Sequence, residues 1–315
     1  MTNLITNPRK WRSKAILVKA ETNYGDDATP TGAANWIEAR NMTLTPMDVD
    51  KVTRDIMLPY MGSSGSIIVG SWAKLSFDVA IAPSGSLGVA PKWGPLMLAC
   101  GMAETIVAAT SVTYNLVSSA FSSVSAYINI DGTLHKLLGM RGEVKGKMSA
   151  KGLPMLSFSF DANFVAPVTD ALPAVTRTGW MLEEGVNSAN STAVSVNSIP
   201  LGFSALDWSL GNKVARIDLP GPQREVAITD RGAQASLTVL APDLATFDPF
   251  ALVVAGTTVP VSTTHGSAAG KKLKTDMQVR IIGVDYDKID EMVAYKLTLE
   301  PVPVAGNDEI ILTCL

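Results

Sequence analysis

The chain has little of what enzymes and metal proteins rely on. Its 315 residues include only two cysteines and two histidines. A Ser-His-Asp or Cys-His site would have to use His135 or His265. His135 follows a predicted hairpin turn and is expected to be exposed. His265 sits in Thr263-Thr264-His265-Gly266-Ser267, which reads as a flexible loop that could not hold a base in place. Neither lies near a G-x-S-x-G nucleophile motif. His and Cys never fall at zinc spacing. Asp285, Asp287 and Asp290 lack the central glycine and distant glutamate of a calcium loop, so they read as a solvated hairpin tip. No Gly-Lys-Ser/Thr follows Gly62, Gly65 and Gly70, or Gly85 and Gly88, which excludes a phosphate loop. No catalytic residue, cofactor or metal is expected.

Charge is scarce as well. Charged residues make up 17% of the chain and the formal net charge is −3. No basic run or aromatic-basic stripe provides the footprint of a nucleic-acid binder. No stretch approaches the roughly 18 apolar residues of a membrane span. The polar start of the chain, with Asn3, Asn7, Arg9, Lys10 and Arg12, lacks the apolar core of a signal peptide. Cys100 reads as a small buried hydrophobe in an apolar run, and one possible pair with Cys314 is a poor disulfide framework. A soluble protein of a reducing compartment is the expectation.

Hydrophobic residues supply 47% of the chain, enough for two domains that each bury a core, and its layout appears twice. Leu75–Ile81 ends in Ala82-Pro83 and leads to the apolar segment Pro95–Gly101. Ser236–Leu240 ends in Ala241-Pro242 and leads to Pro249–Gly256. Upstream, Lys51–Pro59 matches Lys213–Pro220. A repeat of this length indicates an architecture built from one unit written twice. The division expected is a polar arm over 1–14 anchored by Trp11, a first unit over 15–175 and a second over 176–315.

Patterning is mainly β. Leu75, Phe77, Val79 and Ile81 alternate with polar neighbours, as in a half-buried strand. Ala15–Ala20 reads as a strand or a first helical turn. Asn35–Thr45 and Lys51–Pro59 read as strands, with an exposed glycine-serine hairpin between Pro59 and Gly70. Pro91–Glu104 reads as a helix with Pro95 in its first turn and Gly101 near its end. Asp131-Gly132 marks a hairpin because a type I′ turn needs positive φ. A second hairpin falls around Lys151–Pro154, and a third joins Met277–Val284 to Met292–Glu300.

Three stretches carry a family resemblance: Lys19–Gly25 followed by Pro30–Asn35; Ala90–Glu104; and Asp131-Gly132 with Leu137–Gly142. Over about residues 15–170 the chain resembles tail tube proteins of long-tailed bacteriophages, closest to those of flexible, non-contractile tails such as transposable Pseudomonas siphophages. The resemblance implies two tandem β-sandwich or partial-barrel domains, each with a short helix. It also implies rings, stacked into a hollow tail tube through which DNA passes without specific binding. Single-domain relatives form hexamers, so a double-length chain implies a pseudo-hexameric ring of three copies. The implied partners are further copies of the chain, a tape measure protein inside, and tail terminator and distal tail or baseplate proteins. The implied location is the virion tail, assembled in the host cytoplasm.

Under that reading, Trp11, Met57, Tyr60, Met61 and Ile67 are expected to bridge successive rings. Asp55, Asp78 and Asp218 are expected to face the lumen, on sheets formed by Lys51–Pro59, Lys213–Pro220, Lys74–Ala82 and Ser236–Ala241. The alternatives are a decoration or connector protein of the virion, or a carbohydrate- or receptor-binding module using Trp36, Trp72, Trp93, Trp180 or Trp208 as sugar platforms.

Overall fold

The structure, a computed structural model, describes residues 8–315 and is mainly β. The first half contributes β1 (Lys14–Ala20), β2 (Ala39–Thr53), β3 (Ser66–Ala80), β4 (Met102–Val107), β5 (Ser111–Leu116), β6 (Val124–Ile130), β7 (Thr133–Ser149), β8 (Met155–Phe164) and β9 (Val168–Thr169). The second contributes β10 (Val194–Val196), β11 (Ile199–Leu201), β12 (Phe203–Ser209), β13 (Asn212–Asp218), β14 (Arg224–Arg231) and β15 (Gln234–Leu240). It continues with β16 (Thr258–His265), β17 (Leu273–Ile289), β18 (Met292–Pro301) and β19 (Ile310–Cys314). Three short helices, α1 (Gly32–Asn35), α2 (Gly94–Ala99) and α3 (Pro249–Ala255), complete the described elements. All strands but β13 and β14 belong to one antiparallel sheet system, which forms no closed barrel.

Hydrogen bonding follows one order in both halves. In the first, β1 pairs β6, β6 pairs β7, β7 pairs β8, β8 pairs β3 and β3 pairs β2. In the second, β10 pairs β16, β16 pairs β17, β17 pairs β18, β18 pairs β15 and β15 pairs β12. The β4–β5 hairpin of the first half has no counterpart between α3 and β16. Two junctions join the halves: β12 pairs the end of β7, and β19 pairs β5.

Alternation dictates which faces are buried. Leu75, Phe77 and Val79 of β3 lie opposite Phe160, Phe158 and Leu156 of β8, all at most 3% exposed. The rings of Phe77, Phe158 and Phe160 sit 5.7–6.0 Å apart, within the range of favourable aromatic pairing. Helix α2 closes this core with Leu96 and Met97, and Trp93 before it donates its indole N–H to the Ala82 carbonyl.

Several sequence expectations are corrected. Strand β2 is continuous through Thr53 and stops there, because the following segment carries Pro59 and positive-φ glycines at Gly62 and Gly65; Lys51–Pro59 is not one strand. Helix α2 spans only Gly94–Ala99, not the expected Pro91–Glu104, since Gly101 takes φ +80° and the β-branched run after Met102 pairs with β5. Asp285 and Asp287 lie within β17 rather than at a hairpin tip, and the turn proper is Asp290-Glu291, both at positive φ. Ala15–Ala20 is a strand.

Truncating Phe77 to alanine removes the centre of this aromatic cluster. A loss of about 3–5 kcal/mol is expected, read as a lowered midpoint in urea denaturation; a change below about 1 kcal/mol would contradict the packing described.

Candidate functional site

The polar face of the sheet follows from the same alternation that buries the phenylalanines. Lys74, Ser76 and Asp78 of β3 alternate with the buried set. Ser157, Ser159 and Asp161 do so on β8, and Lys145 and Lys147 on β7. Beyond the β7–β12 junction the same face continues through Asp207, Ser236 and Thr298. It is concave: a trough of about 670 Å³ runs over Lys145, Lys147, Asp207, Ser236 and Thr298. A second hollow of about 510 Å³ lies over Thr43, Thr45, Lys74, Ser159 and Asp161. The first also has apolar walls, from Trp208, Ala235, Ile282 and Leu299, and the second is bounded by Leu75, Phe160 and Val214 beside its polar groups.

The second feature is an arm. Strands β2 and β3 run on past the body as a hairpin joined by residues 54–65. Ile67, Ile68 and Val69 are consecutive on β3 and all exposed, so the hairpin buries neither face. At its end Met57 and Met61 are essentially fully solvated, at 101% and 98% exposure, beside exposed Ile56 and Tyr60. A contiguous apolar patch of this kind marks an interaction surface in a soluble protein.

The hairpin at the corresponding place in the second half, β13–β14, behaves differently. Arg216 donates to Asp161 (2.5 and 3.0 Å) and to Asp48 (2.9 Å). Arg224 lies 4.7 Å above the Trp72 ring and donates to the Ser71 carbonyl. Arg141 pairs with Glu225, and the Val226 N–H donates to Tyr24 Oη at 2.6 Å. At the hairpin's base Glu143 accepts from the N–H groups of Gly211 (2.9 Å) and Asn212 (2.7 Å), and burial pushes its carboxyl above the usual range. This hairpin is folded down on the first half and fixed there by charge-assisted bonds.

The family described as phage tail tube protein matches residues 11–314. The chain belongs to that family. No curated protein matches it. A tail tube protein is a structural component of the virion tail, so the features to weigh are surfaces and strand edges. Among the described residues no helix of this tube protein is long and apolar enough to cross a membrane, and no His/Cys/Asp/Glu group is arranged for a metal.

The residues singled out from sequence are distributed as follows. Met57, Tyr60, Met61 and Ile67 gather on the arm, all exposed. Trp11 is separate, 76% exposed with Lys14 Nζ 3.1 Å over its ring; residues 1–7 of the N-terminal arm lie outside the described residues. Asp78 is on the polar concave face, where Asn41 Nδ2 donates to it at 2.8 Å. Asp55 sits in the 54–65 connection, and Asp218 ends β13, 3.9 Å from Arg224. The three aspartates are not brought together. Lys145, Lys147 and Asp207, which line the trough, were not singled out; the alternation of the two lysines with buried Val144, Gly146 and Met148, and of Asp207 with buried Leu206 and Trp208, was the available signal.

The carbohydrate reading loses its platforms. Trp72, Trp93 and Trp208 are at most 3% exposed, and Trp36 and Trp180 pack edge to face at 6.3 Å. His265 is also corrected: it closes β16, is 2% exposed, and its Nδ1 lies 2.9 Å from Ser191 Oγ. Nor is His135 fully exposed; it is half-buried. Both imidazoles are fixed by strand pairing, which a local sequence window does not reveal.

Burial holds His265 below the ordinary histidine range. The unfolded chain therefore binds the proton more readily. This group's contribution to stability is complete above about pH 6.5 and is lost as pH falls below it. Replacing His265→Asn is expected to flatten the fall in stability between about pH 7 and 5 relative to wild type, measured by urea denaturation at each pH; parallel curves would refute the assignment.

Proposed function

We propose that this tube protein is a tandem of two tube units, over about 15–175 and 176–315, and that three copies close into a pseudo-hexameric ring. Rings stack into the tube of a long, non-contractile tail, and DNA passes along the lumen without sequence-specific contact. The observation that carries this reading is the shared hydrogen-bonding order of the two halves, joined at β7 and β12, with β2 bonded to β3 alone and Gly283–Ile289 of β17 bonded to β18 alone among the described residues. A body with two different open edges joins head to tail, and such contacts close into rings when the rotation per step permits. Closure also removes edges that otherwise invite aggregation.

The polar concave face is the surface that suits a lumen. Serines, threonines and interspersed charges give DNA phosphates no continuous basic track, in keeping with the net charge of −3. Asp78 lies on that face; Asp55 and Asp218 are assigned to the hairpins instead. The apolar arm around Met57, Tyr60, Met61 and Ile67 is the surface that suits contact with the next ring, with Trp11 as a second anchor. A tape measure protein would occupy the lumen during assembly, with terminator and distal tail or baseplate proteins at the two ends. On this reading assembly takes place in the host cytoplasm.

Negative-stain electron microscopy over a concentration series tests the assembly. Threefold or sixfold rings and hollow tubes are expected, whereas monodisperse monomers at every concentration would overturn the ring. Deleting Tyr60–Ser66 is expected to leave the circular dichroism spectrum unchanged and to abolish long tubes; long tubes from that variant would remove the arm from the inter-ring contact.

A further inference from the structure

The arm stands clear of the body with neither face buried, so its direction has to be set at its root. The ladder between β3 and β8 ends with Trp72 opposite Asn163. Beyond that rung the two arm strands pair only with each other among the described residues. Their own ladder is broken on both sides of the root. Between the pairs Thr45–Lys74 and Asp48–Trp72, β2 has Pro46 and Met47 where β3 has only Ala73. Between Asp50–Gly70 and Lys51–Ile68, β3 has the extra residue Val69. Bulges of this kind bend a strand and leave a residue unpaired, and Pro46 has no N–H to offer a ladder. Three rungs, Asp48–Trp72, Val49–Ser71 and Asp50–Gly70, remain between the breaks as a short knuckle.

The second half of the chain grips this knuckle. Arg216 of β13 donates to Asp48 in the knuckle (2.9 Å) and to Asp161 of β8 (3.0 and 2.5 Å), so one guanidinium joins arm to body. Lys74 Nζ lies 3.1 Å from the same Asp48 carboxylate. Arg224 of β14 donates to the Ser71 carbonyl and lies 4.7 Å over the Trp72 ring, with Arg216 5.7 Å from that ring. The indole N–H donates in turn to Asp50 at 2.9 Å. Gly70 makes room for this bond, since a Cβ there would lie 2.8 Å from the Asp50 carboxylate. All three rungs are therefore tied to two arginines, directly or through the indole.

The gripping hairpin is itself anchored. Val226 and Ile228 of β14 are buried, Glu143 holds the base through Gly211 and Asn212, and Arg141 pairs with Glu225. The Arg216 and Asp161 side chains are only 19% and 23% exposed, which spares the pair much of the screening that weakens surface ion pairs. A small tilt at the knuckle matters at the far end of the arm. At about 3.3 Å per residue, the segment from Asp50 to Met57 reaches roughly 23 Å. A tilt of about 30° would carry Met57 roughly 12 Å, more than the spacing of about 10 Å between packed sheets.

We infer that β13–β14 is a clamp that sets the direction of the arm, with Arg216 and Arg224 as the positioning residues. The second half of the chain thereby controls the contact surface that the first half carries. The consequence for stacking rests on the inter-ring role proposed for the arm, whereas the clamp itself acts within one copy.

The angular spread of the arm in the full chain tests the clamp. Spin labels at S66C and T110C place one label on the last rung of the arm ladder and one on the β4–β5 turn, both at exposed positions. Native Cys100 and Cys314 are at most 5% exposed and stay unlabelled. Pulsed electron paramagnetic resonance is expected to give one narrow distance distribution when the clamp is intact. In R216Q/R224Q it is expected to broaden by roughly 7 Å, the distance a tilt of about 30° moves Ser66, with the circular dichroism spectrum unchanged. Asp48→Asn, at a side chain 36% exposed, is expected to broaden it too, and keeps the test decisive if the double variant unfolds. A distribution as narrow as that of the intact clamp in the folded variants would overturn the inference. By electron microscopy, unlabelled R216Q/R224Q is expected to form rings and to lose long tubes. Tubes of wild-type length from a variant with a broadened arm would overturn the control of stacking. If wild-type protein forms no rings, the ring reading falls, and the distances measured in the monomer still decide the clamp.

Discussion

The rest of the structure depends on the lateral bonding of β12 to β7. Five residues of each strand pair there, and through them the sheet of one half continues into the sheet of the other. Trp208 is buried over Gly146 at the same place, so the backbone ladder and the side-chain core cross the junction together. The glycine is required because no side chain fits under the indole. With that contact made, the polar residues of both halves fall on one concave face and their apolar residues on the other.

The constraint also explains why two hairpins of similar place have different fates. Strand β12 ends at Gly211, where the chain turns into β13 and lies back over the first half. There Arg216 meets Asp161 and Asp48, and Arg224 covers Trp72. Half-buried arginines with matched carboxylates hold such a contact because each charge keeps hydrogen-bond partners as it leaves water. Strand β2 shifts register at Thr45/Asp48 and Asp50/Lys51 but stays paired to β3 through Thr53, and so runs on into the arm. The arm carries Met57, Tyr60 and Met61 at its end rather than arginines, and among the described residues nothing covers them.

Membership of the tail tube family and the two surfaces point the same way. Among the described residues the buried charged and titratable side chains have partners within the fold: Arg141 pairs with Glu225, Glu309 with Arg231, and His265 lies against Ser191. What the chain offers in quantity is unpaired strand edge, an apolar arm and a polar concave face. Each is unusual for a monomer and ordinary for a subunit of a larger assembly.

Much of the fold was legible from local pattern. The alternation of Leu75, Phe77 and Val79 fixed the buried face of β3, Asp131-Gly132 fixed a hairpin, and the doubled phrases around Ala82-Pro83 and Ala241-Pro242 marked corresponding segments. These signals are short-range: side-chain period, turn chemistry and the φ that glycine permits act within a few residues. The exposed apolar arm was legible for the same reason. The burial of His265, Trp72 and Trp208, the extension of β17 through Asp285 and Asp287, and the place of Lys145, Lys147 and Asp207 in the trough were not. They follow from which strand lies beside which, and strand neighbours are chosen by pairing between residues far apart in the chain. The sequence by itself determined the periodicity, the turns and the repeated layout. Tertiary structure alone decided the β12–β7 junction, and with it which edges are satisfied and which stay open, because a ladder needs both strands before either edge has a partner.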